Sequence, residues 1–436
     1  MQRIPTFKKG GVHPDDKKVL SNSQAIETIP MPAELIVPLS QHLGAPASPL
    51  KQKGDVVVIG EKIGKASSFI SADIHSPVNG TIKDFRKVVL ANSVATDAFI
   101  IIPDSEHPLG EWPLQEYESL SPAELVAIVQ DKGIVGTGGA TFPTHVKLTV
   151  PKGKYVDALV INGVECEPYL TADHRLMLEH TQEVLKGIMI IARMTAPKRI
   201  IIGVERNKPD AIEALNNSIT NSGYPITVVG LKVKYPQGDE KQLLKATIGR
   251  EIPSGKLPLD VGAVVVNVGT AFAIYEAVVL RKPLIERIVT VSGEAMASKK
   301  NLRVPIGAKV ADLLAYCGGY TEAPDKLISG GPMMGFAFFD EQTPVIKGTS
   351  GILALDKSVA KKHSASPCIS CGKCVAVCPM GLQPTKMYRL IENHRYEEAM
   401  KMNLMDCKEC GCCAYTCPAH LPLVHGMKIG KKLGRK

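Results

Sequence analysis

The chain has 436 residues and a formal net charge of +9, and a chain of this length predicts roughly two to four domains. Hydrophobic residues make up 44% and charged residues 22%, which is ordinary for a soluble globular protein, and no apolar run reaches the roughly eighteen residues needed to span a bilayer. The first residues, MQRIPTFKKGGVHPDDKK, lack the apolar segment of a secretory signal, so we expect the chain in the cytoplasm.

Residues 30–105 are rich in β-branched residues and in short Gly and Pro turns, which predicts small strands. The segments KQKGDVVVIGEKIG and IHSPVNGTIKDF resemble the lipoyl/biotinyl-like β-sandwich, in which a Lys between the two segments carries the cofactor. The matching position here is Phe69. We therefore predict a sandwich over residues 1–115 that lacks the acceptor Lys and is a structural module, not a carrier.

A different pattern begins near residue 120. SPAELVAIVQDKG has Ser121 as a helix N-cap, Pro122 at the first helical position and an apolar face of helical period. The apolar runs DALVING, KRIIIGVE, ITVVGLKV and GAVVVNVGT then alternate with amphipathic stretches, which is typical of an α/β domain with a buried, mostly parallel sheet. We predict such a Rossmann-like domain over residues 116–282.

The last third of the chain is expected to hold two further modules. Residues 283–355, in which strands surround the helix AKVADLLAYCG, resemble the soluble-ligand-binding β-grasp (SLBB) module. The polar, basic stretch DKSVAKKHSASP is a plausible linker into a cysteine-rich domain over residues 356–436. The overall fold class is thus multidomain, α/β and α+β, with an α-helical ferredoxin-type domain at the C-terminus.

Eight of the eleven cysteines form two runs of C-x2-C-x2-C-x3-C, each followed by Pro. In a long chain without an export signal, this spacing indicates metal ligation and not disulfides. Zinc is the alternative, but zinc sites use paired C-x2-C units and rarely this ladder of four. In two-cluster ferredoxins the fourth Cys of each run binds the other cluster. The pattern therefore predicts two [4Fe-4S] clusters, one on Cys368, Cys371, Cys374 and Cys417, the other on Cys407, Cys410, Cys413 and Cys378.

The remaining features of the cysteine-rich end have simpler interpretations. Cys412 lies outside the register, and Cys166 and Cys317 stand alone, so all three are predicted to be packed apolar residues. Between the runs, apolar residues at Met387, Ile391 and Ala399 predict a helical insertion. The basic tail from His425 is either a solvated terminus or attracted to an acidic partner or an anionic membrane surface. Nucleic acid is not expected, because no recognised motif accompanies the charge.

The segment GIVGTGGATFPTHVK, residues 133–147, is a candidate phosphate loop. Its glycines let the backbone approach a bound group and offer N–H groups to phosphate, although such a segment is often only a turn. The next apolar strand ends at Asn162 and is followed by Glu165 and Glu167. Ligands of open α/β sheets bind at the carboxyl ends of strands, which favours a cleft here, and a helix N-terminal or solvated role is the alternative.

Four motifs in order then resemble the flavin-binding subunit of respiratory complex I. They are G-x-G-G-A-x-F-P-T-x-x-K, N-x-x-E-x-E-P, the segment KYPQGDEKQLL and the segment VNVGTAF. With the sandwich, the β-grasp module and the two cysteine runs, nearly the whole chain resembles the RnfC family of ion-translocating Rnf complexes. The resemblance implies an NAD-dependent electron-transfer oxidoreductase subunit that passes electrons between NAD(H), FMN and two [4Fe-4S] clusters. Its implied partners are a ferredoxin-like cluster subunit, membrane subunits that move the ion and, indirectly, ferredoxin, at the cytoplasmic face of the membrane.

The same resemblance implies a role for each matched residue. FMN would be held by Gly136, Gly138, Gly139 and Lys147, hydrogen-bonded by Asn162 and Asn267, stacked on by Phe142 and approached at its phosphate by Thr270. Glu165 and Glu167 would be catalytic, facing flavin and nicotinamide, and Gly238, Asp239 and Glu240 would lie where NADH arrives. The chain departs from the complex I pattern at Thr137, Thr141, Val164, Val266 and Gly269. A flavin-free relay or scaffold subunit, or an NADH-linked subunit of a soluble hydrogenase or formate dehydrogenase, is therefore the alternative.

Overall fold

The computed structural model describes residues 4–104 and 110–434. The chain first forms β1 (Ile26–Thr28) and then the two sheets of the sandwich. The sandwich strands are β2 (Leu35–Pro38), β3 (Ser48–Pro49), β4 (Val56–Val57), β5 (Lys62–Lys65), β6 (Ile74–His75), β7 (Gly80–Val89) and β8 (Ala95–Pro103). Their orders are β2-β8-β7-β4 and β3-β5-β6. Phe69 lies in the hairpin between β5 and β6 with 67% of its surface exposed.

The central domain is the predicted α/β unit. Its elements are α1 (Pro122–Asp131), α2 (Thr144–Leu148), β9 (Ala158–Gly163), α3 (Ala172–Glu179), α4 (Thr181–Thr195), β10 (Arg199–Glu205), α5 (Pro209–Ser222), β11 (Ile226–Leu231), α6 (Glu240–Thr247), β12 (Ala263–Asn267) and α7 (Val268–Val279). The strands are all parallel in the order β11-β10-β9-β12, as their apolar runs predicted. Ser121 caps α1 by accepting from the Glu124 N–H, which confirms that helix start.

The β-grasp module follows with β13 (Glu286–Ser292), β14 (Lys300–Pro305), α8 (Val310–Tyr316), β15 (Lys326–Ser329), β16 (Phe336–Phe338) and β17 (Gly351–Leu355). Its sheet has the order β1-β14-β13-β17-β15-β16. The strand β1 therefore belongs to this sheet through parallel pairing with β14, although the sequence placed residues 26–28 in the sandwich. The predicted domain limits at 115, 282 and 355 stay predictions.

The cysteine-rich end is helical, and each of its two cysteine runs contains one short helix. Its helices are α9 (Lys373–Ala376), α10 (Pro384–Glu392), α11 (Tyr396–Lys401), α12 (Cys412–Tyr415) and α13 (Leu423–Leu433). The predicted insertion is confirmed as α10 and α11, with Met387 and Ala399 buried. The basic tail is not a solvated coil, because residues 425–433 lie in α13, where Gly426 and Met427 are buried. Arg435 and Lys436 lie outside the described residues. None of the helices described between residues 4 and 434 is both long and apolar enough to cross a membrane.

Candidate functional site

The eight cysteines of the two runs line two separate cavities. One cavity is lined by Cys378, Cys407, Cys410 and Cys413. The other is lined by Cys368, Cys371, Cys374 and Cys417. Each set takes three thiols from one run and the fourth from the other, which is the grouping that the ferredoxin pattern predicts. We name the first the inner set and the second the outer set.

The chain around each set suits an iron–sulfur cluster. The backbone is left-handed at Ser370 and Glu409, each two residues after the first Cys of its run. This conformation turns the N–H of each residue toward the sulfur of that first Cys, at 3.4 Å, and such N–H groups stabilise a thiolate ligand. Among the described side chains, no three His, Cys, Asp or Glu converge closely enough to hold a single metal ion. Four thiols around a cavity, with N–H groups aimed at sulfur, fit a [4Fe-4S] cluster.

The two sets differ in their exposure. The inner cavity is also lined by Met380, Met387 and Met427, and Cys410 is only 9% exposed. In the outer set, Cys371 is exposed, and the neighbouring Ile369 is 69% exposed. The outer set is therefore the more exposed of the two, although Cys374 in it is buried and Cys407 and Cys413 of the inner set are partly exposed.

The inner set packs directly on the α/β domain. Tyr235, which follows β11, shares an apolar cluster with Cys410 and Cys412. The N-terminal turn of α6 is nearby, since Asp239 lies 3.9 Å from the ammonium of Lys408. The amide of Gln242 lies 3.4 Å from the sulfur of Met380. Residues 235–242 therefore join the predicted nucleotide site to the inner thiols.

The three cysteines outside the register have different environments. Cys412 and Cys317 are fully buried, as predicted, and the Cys412 thiol lies 3.9 Å from the carbonyl oxygen of Tyr235. Cys166 is only half-buried, and its sulfur accepts from the Gly238 N–H at 3.3 Å. Cys166 packs against two apolar clusters, as predicted for an apolar residue, but it is only partly buried and lies between the strand-end loops and the inner set.

Two predicted flavin contacts meet at the carboxyl edge of the parallel sheet. Asn162 ends β9 and Asn267 ends β12, and the two residues are register partners. The Asn162 amide donates to the Gly238 carbonyl at 2.9 Å. The Asn267 amide donates to the Asp173 carboxylate at 2.7 Å, and its oxygen accepts from the Gly269 N–H at 2.8 Å. The strand-end rule thus places both side chains at one edge, where each already has protein partners.

The glycine loop lies over this edge with its backbone open. A Cβ on Gly139 would meet nothing within 4 Å, and the φ of this residue is +100°. A Cβ on Gly138 would come to 3.5 Å from the side chain of Asn267. Both glycines are exposed, so a phosphate-bearing group has room to approach their N–H groups. This open backbone fits the FMN phosphate, whereas Gly136 is tied back through its N–H to the Phe142 carbonyl at 2.9 Å.

Thr137, which stands where complex I has Arg, anchors the loop. Its N–H donates to the hydroxyl of Thr270 at 3.0 Å, and both side chains are buried. The Arg287 guanidinium, from β13 of the β-grasp module, donates to the Thr137 carbonyl at 3.1 Å. Burial lowers the pKa of Arg287 to about 10. The sequence did not single out Arg287, because nothing local to β13 indicates a contact 150 residues away.

Two charged residues predicted at the site pair with each other. The Lys147 ammonium donates to the Glu240 carboxylate and to the Val265 carbonyl, both at 3.0 Å. Asp239 caps α6 by accepting from the N–H groups of Lys241 and Gln242. Burial raises the pKa of Asp239 above its usual value. Lys147 and Glu240 are thus brought together beside the end of β12, and their roles toward FMN and NADH stay predictions.

The two candidate catalytic acids face different surroundings. Glu165 has a left-handed backbone, and its carboxylate accepts from the N–H groups of Asp173 and His174 at 2.7 and 3.3 Å. This is the helix N-terminal alternative left open by the sequence, at the start of α3. Glu167 instead accepts from the Tyr235 hydroxyl at 3.3 Å and from the Met333 N–H at 3.0 Å. Burial raises the pKa of Glu167 to about 7.

Two buried lysines missed by the sequence hold the loop that carries these acids. The ammonium of Lys18 donates to the carbonyls of Glu167 and Leu170 at 3.0 and 2.5 Å. The ammonium of Lys208 donates to the Val164 carbonyl at 2.8 Å. Burial lowers the pKa of Lys208 to about 8. Neither lysine belongs to a motif, so only the fold reveals that buried ammonium groups hydrogen-bond to the backbone of residues 164–170.

Four family models match the chain in order along its length. The RnfC barrel sandwich hybrid domain matches residues 6–106, and the Nuo51 FMN-binding domain matches residues 129–276. The SLBB domain matches residues 288–337, and a 4Fe-4S dicluster domain matches residues 367–421. These matches confirm the predicted fold class and its cofactors, FMN and two [4Fe-4S] clusters.

Curated relatives are similar to the chain over most of its length. The C subunit of a proton-translocating ferredoxin:NAD(+) oxidoreductase complex from Clostridium ljungdahlii is 45% identical, over 91% of this chain and 87% of that protein. The C subunit of an ion-translocating oxidoreductase complex from Rhodobacter capsulatus is 44% identical, over 97% and 82%. The C subunit of a Na(+)-translocating ferredoxin:NAD(+) oxidoreductase complex from Acetobacterium woodii is 42% identical, over 97% and 96%.

Proposed function

Because the chain belongs to the RnfC family of ion-translocating oxidoreductase complexes, we propose that it is the NAD-reactive subunit of a ferredoxin:NAD oxidoreductase complex. NADH leaves as NAD+ and a proton, and its two electrons leave the chain one at a time. When bound, FMN and the two clusters supply this conversion between an electron pair and single electrons. Partner proteins of the complex couple the transfer to ion translocation, and the reverse direction uses the same groups.

One observation carries the proposal, namely that the inner thiol set packs on the loops at the nucleotide edge of the sheet. Tyr235 touches Glu167 on one side and the Cys410 and Cys412 cluster on the other. At this point the FMN-binding domain contacts the inner set directly. Short separations favour electron transfer, and this packing therefore supports the inner set as the first exit from the flavin site and the outer set as the second.

We assign a separate role to each residue of the chain at the nucleotide edge of the sheet. The exposed N–H groups of Gly138 and Gly139 receive a phosphate, and the ammonium of Lys147 supplies positive charge beside it. Asn162 and Asn267 orient the flavin ring by hydrogen bonds from the strand ends. Glu167 holds a proton on its carboxyl near neutral pH, since burial raises its pKa to about 7. It is the acid whose protonation we expect to change on hydride transfer. Glu165 orients the loop through its bonds to the start of α3.

The outer set is the proposed exit to a partner subunit. Its surroundings are exposed and basic, since no Asp or Glu occurs between Lys357 and Met380 or after Glu409. Electrostatic complementarity then favours an acidic partner, and we propose that this partner is a ferredoxin-like cluster subunit of the same complex. The assembled protein is peripheral, at the cytoplasmic face of a membrane that the other subunits span.

The experiment that tests this function is anaerobic purification followed by measurement of flavin, iron and sulfide per chain. The proposal expects FMN, iron and sulfide together, and it expects the blue flavin absorbance to bleach on adding NADH. The bonds that already occupy Thr270, Asn267 and Lys147 favour one alternative, a flavin-free relay. Iron and sulfide without flavin, and without any response to NADH, would establish that relay and overturn the proposal.

A further inference from the structure

The first described residues form a segment that lies between the α/β domain and the first cysteine run. We define it as the N-terminal strap, residues 5–12. The Pro5 carbonyl accepts from the Lys232 N–H at 3.0 Å, and the Thr6 hydroxyl donates to the Gln237 side chain at 2.8 Å. Phe7 is completely buried. The strap therefore begins on the α/β domain, along residues 232–237 that follow β11.

Lys234 fastens the strap at Phe7. Its ammonium lies 4.1 Å from the centre of the Phe7 ring and donates to the Phe7 carbonyl at 3.2 Å. A cation over an aromatic face is attracted by the ring electrons, and the carbonyl contact fixes the backbone at the same point. One lysine thus holds both the side chain and the main chain of the buried Phe7.

The other side of the strap touches the first cysteine run. The Gly11 N–H donates to the Val377 carbonyl at 2.8 Å. Val12 pairs with Tyr235, and each donates its N–H to the other's carbonyl at 2.9 Å. The strap is therefore hydrogen-bonded on one side to the backbone just before Cys378 and on the other side to the backbone of Tyr235.

Gly10 is the point of closest approach. Its φ is +65°, and an added Cβ would lie 2.5 Å from the carbonyl carbon of Cys378 and from the oxygen of Val377. Backbone atoms cannot move aside as a flexible side chain can, so no larger residue fits unless the strap and the first run separate. Cys378 is the member of the inner set that the first run contributes. Contact at Gly10 thus reaches an inner thiol directly.

We propose that the N-terminal strap is a positioning element, with Gly10 as its positioning residue, that sets the separation between the inner thiol set and the Tyr235 loop of the FMN-binding domain. This inference rests on the proposed function, because the separation matters only if electrons cross it. Electron transfer slows steeply with distance. A backbone contact without side-chain freedom holds that distance more rigidly than a surface ion pair does.

The test is Gly10→Ala in the full chain, purified anaerobically, with Gly54→Ala as the matched control. Gly54 also has a positive φ, +93°, but a Cβ there meets nothing within 4 Å, so the control carries backbone strain without the collision. We expect Gly10→Ala to keep flavin bleaching by NADH, to slow the following loss of iron–sulfur absorbance several-fold, and to change the electron paramagnetic resonance spectrum of one reduced cluster. Gly54→Ala should match the wild type in all three. Equal behaviour of the two variants would overturn the inference.

A second variant covers the case in which Gly10→Ala fails to fold. Lys234→Met removes the ammonium over Phe7 and its bond to the Phe7 carbonyl without adding bulk at the cysteine run. The expected result is the same separation of effects, to a smaller degree, and unchanged cluster reduction in this variant would also count against the strap. Failure of the proposed function looks different, because the wild-type chain itself would then show no loss of iron–sulfur absorbance with NADH.

Discussion

The hydroxyl of Tyr235 donates a hydrogen bond to the carboxylate of Glu167 across 3.3 Å. This contact joins the loop after β9 to the loop after β11, and Tyr235 also packs against Cys410 and Cys412. Tyr235 therefore lies between the inner thiol Cys410 and Glu167, the acid whose protonation we expect to change on hydride transfer. We therefore propose that Tyr235 links the protonation of Glu167 to the arrival of electrons at the inner set.

Tyr235→Phe is expected to change the pH dependence of electron transfer. The hydroxyl lowers the pKa of Glu167, against the larger effect of burial that raises it. Without this donor the pKa of Glu167 rises further above about 7, so the pH profile of iron–sulfur reduction by NADH should move toward alkaline pH. Tyr155→Phe is the control, since Tyr155 is 65% exposed. An unshifted profile in Tyr235→Phe would exclude Glu167 as the titrating group.

Glu167→Gln is expected to change how stability depends on pH. Burial raises the pKa of Glu167 from the usual 4.5 to about 7, so between these values the folded chain keeps a proton that the unfolded chain has released. The stability contributed by this group is thus present below pH 4.5 and is lost as the pH rises through about 7. Between these two pH values, the free energy of unfolding of the wild type should fall by up to about 3 kcal/mol relative to that of the variant.

Thermal unfolding of the cluster-loaded chains at a series of pH values measures this difference. Glu213→Gln is the matched control, because Glu213 is exposed on α5 and the same change of charge there should leave the pH dependence as in wild type. Parallel curves for Glu167→Gln and wild type would mean that Glu167 titrates alike in the folded and unfolded chains.

The sequence predicted the parts of the site that depend on local spacing. The cysteine ladder needs only its intervals, and Asn162 and Asn267 follow from the rule that parallel strands end at one edge. The sequence did not predict Gly10, Lys18 or Arg287, because their partners lie 149 or more residues away and no local pattern records such contacts. It also could not separate Glu165 from Glu167, since two residues in one loop differ only in what the fold packs against them.

Gly138→Val is expected to abolish flavin reduction by NADH and to leave iron near the wild-type level. The branched side chain would fill the space beside Asn267 and cover the N–H groups proposed for phosphate. Cys371→Ala is the reciprocal variant, which should lose about half of the iron and keep flavin reduction. Absorbance and iron measurements on both variants test whether the two sites are independent. Loss of flavin and iron together in each variant would contradict the modular arrangement.

Reversal of charge near the outer set is expected to slow exchange with an acidic electron carrier. The linker that bears Lys361 and Lys362 is held beside this set, because the Ser366 N–H donates to the Ala419 carbonyl at 2.9 Å and Ala419 lines the outer cavity. We expect Lys361→Glu with Lys362→Glu to slow NADH-driven reduction of a purified acidic ferredoxin several-fold at low ionic strength. The difference should disappear as salt screens the charges.

The control for this prediction makes the same change of charge on the sandwich domain, as Lys53→Glu with Lys87→Glu, both of which are exposed. Net charge changes equally in the two variants, and only the position of the change differs. If attraction between the basic surface at the outer set and the carrier sets the rate, only the linker variant should lose its salt dependence. Equal slowing in the two variants would mean that overall charge governs the encounter, and the carrier would then have no assigned position on the outer set.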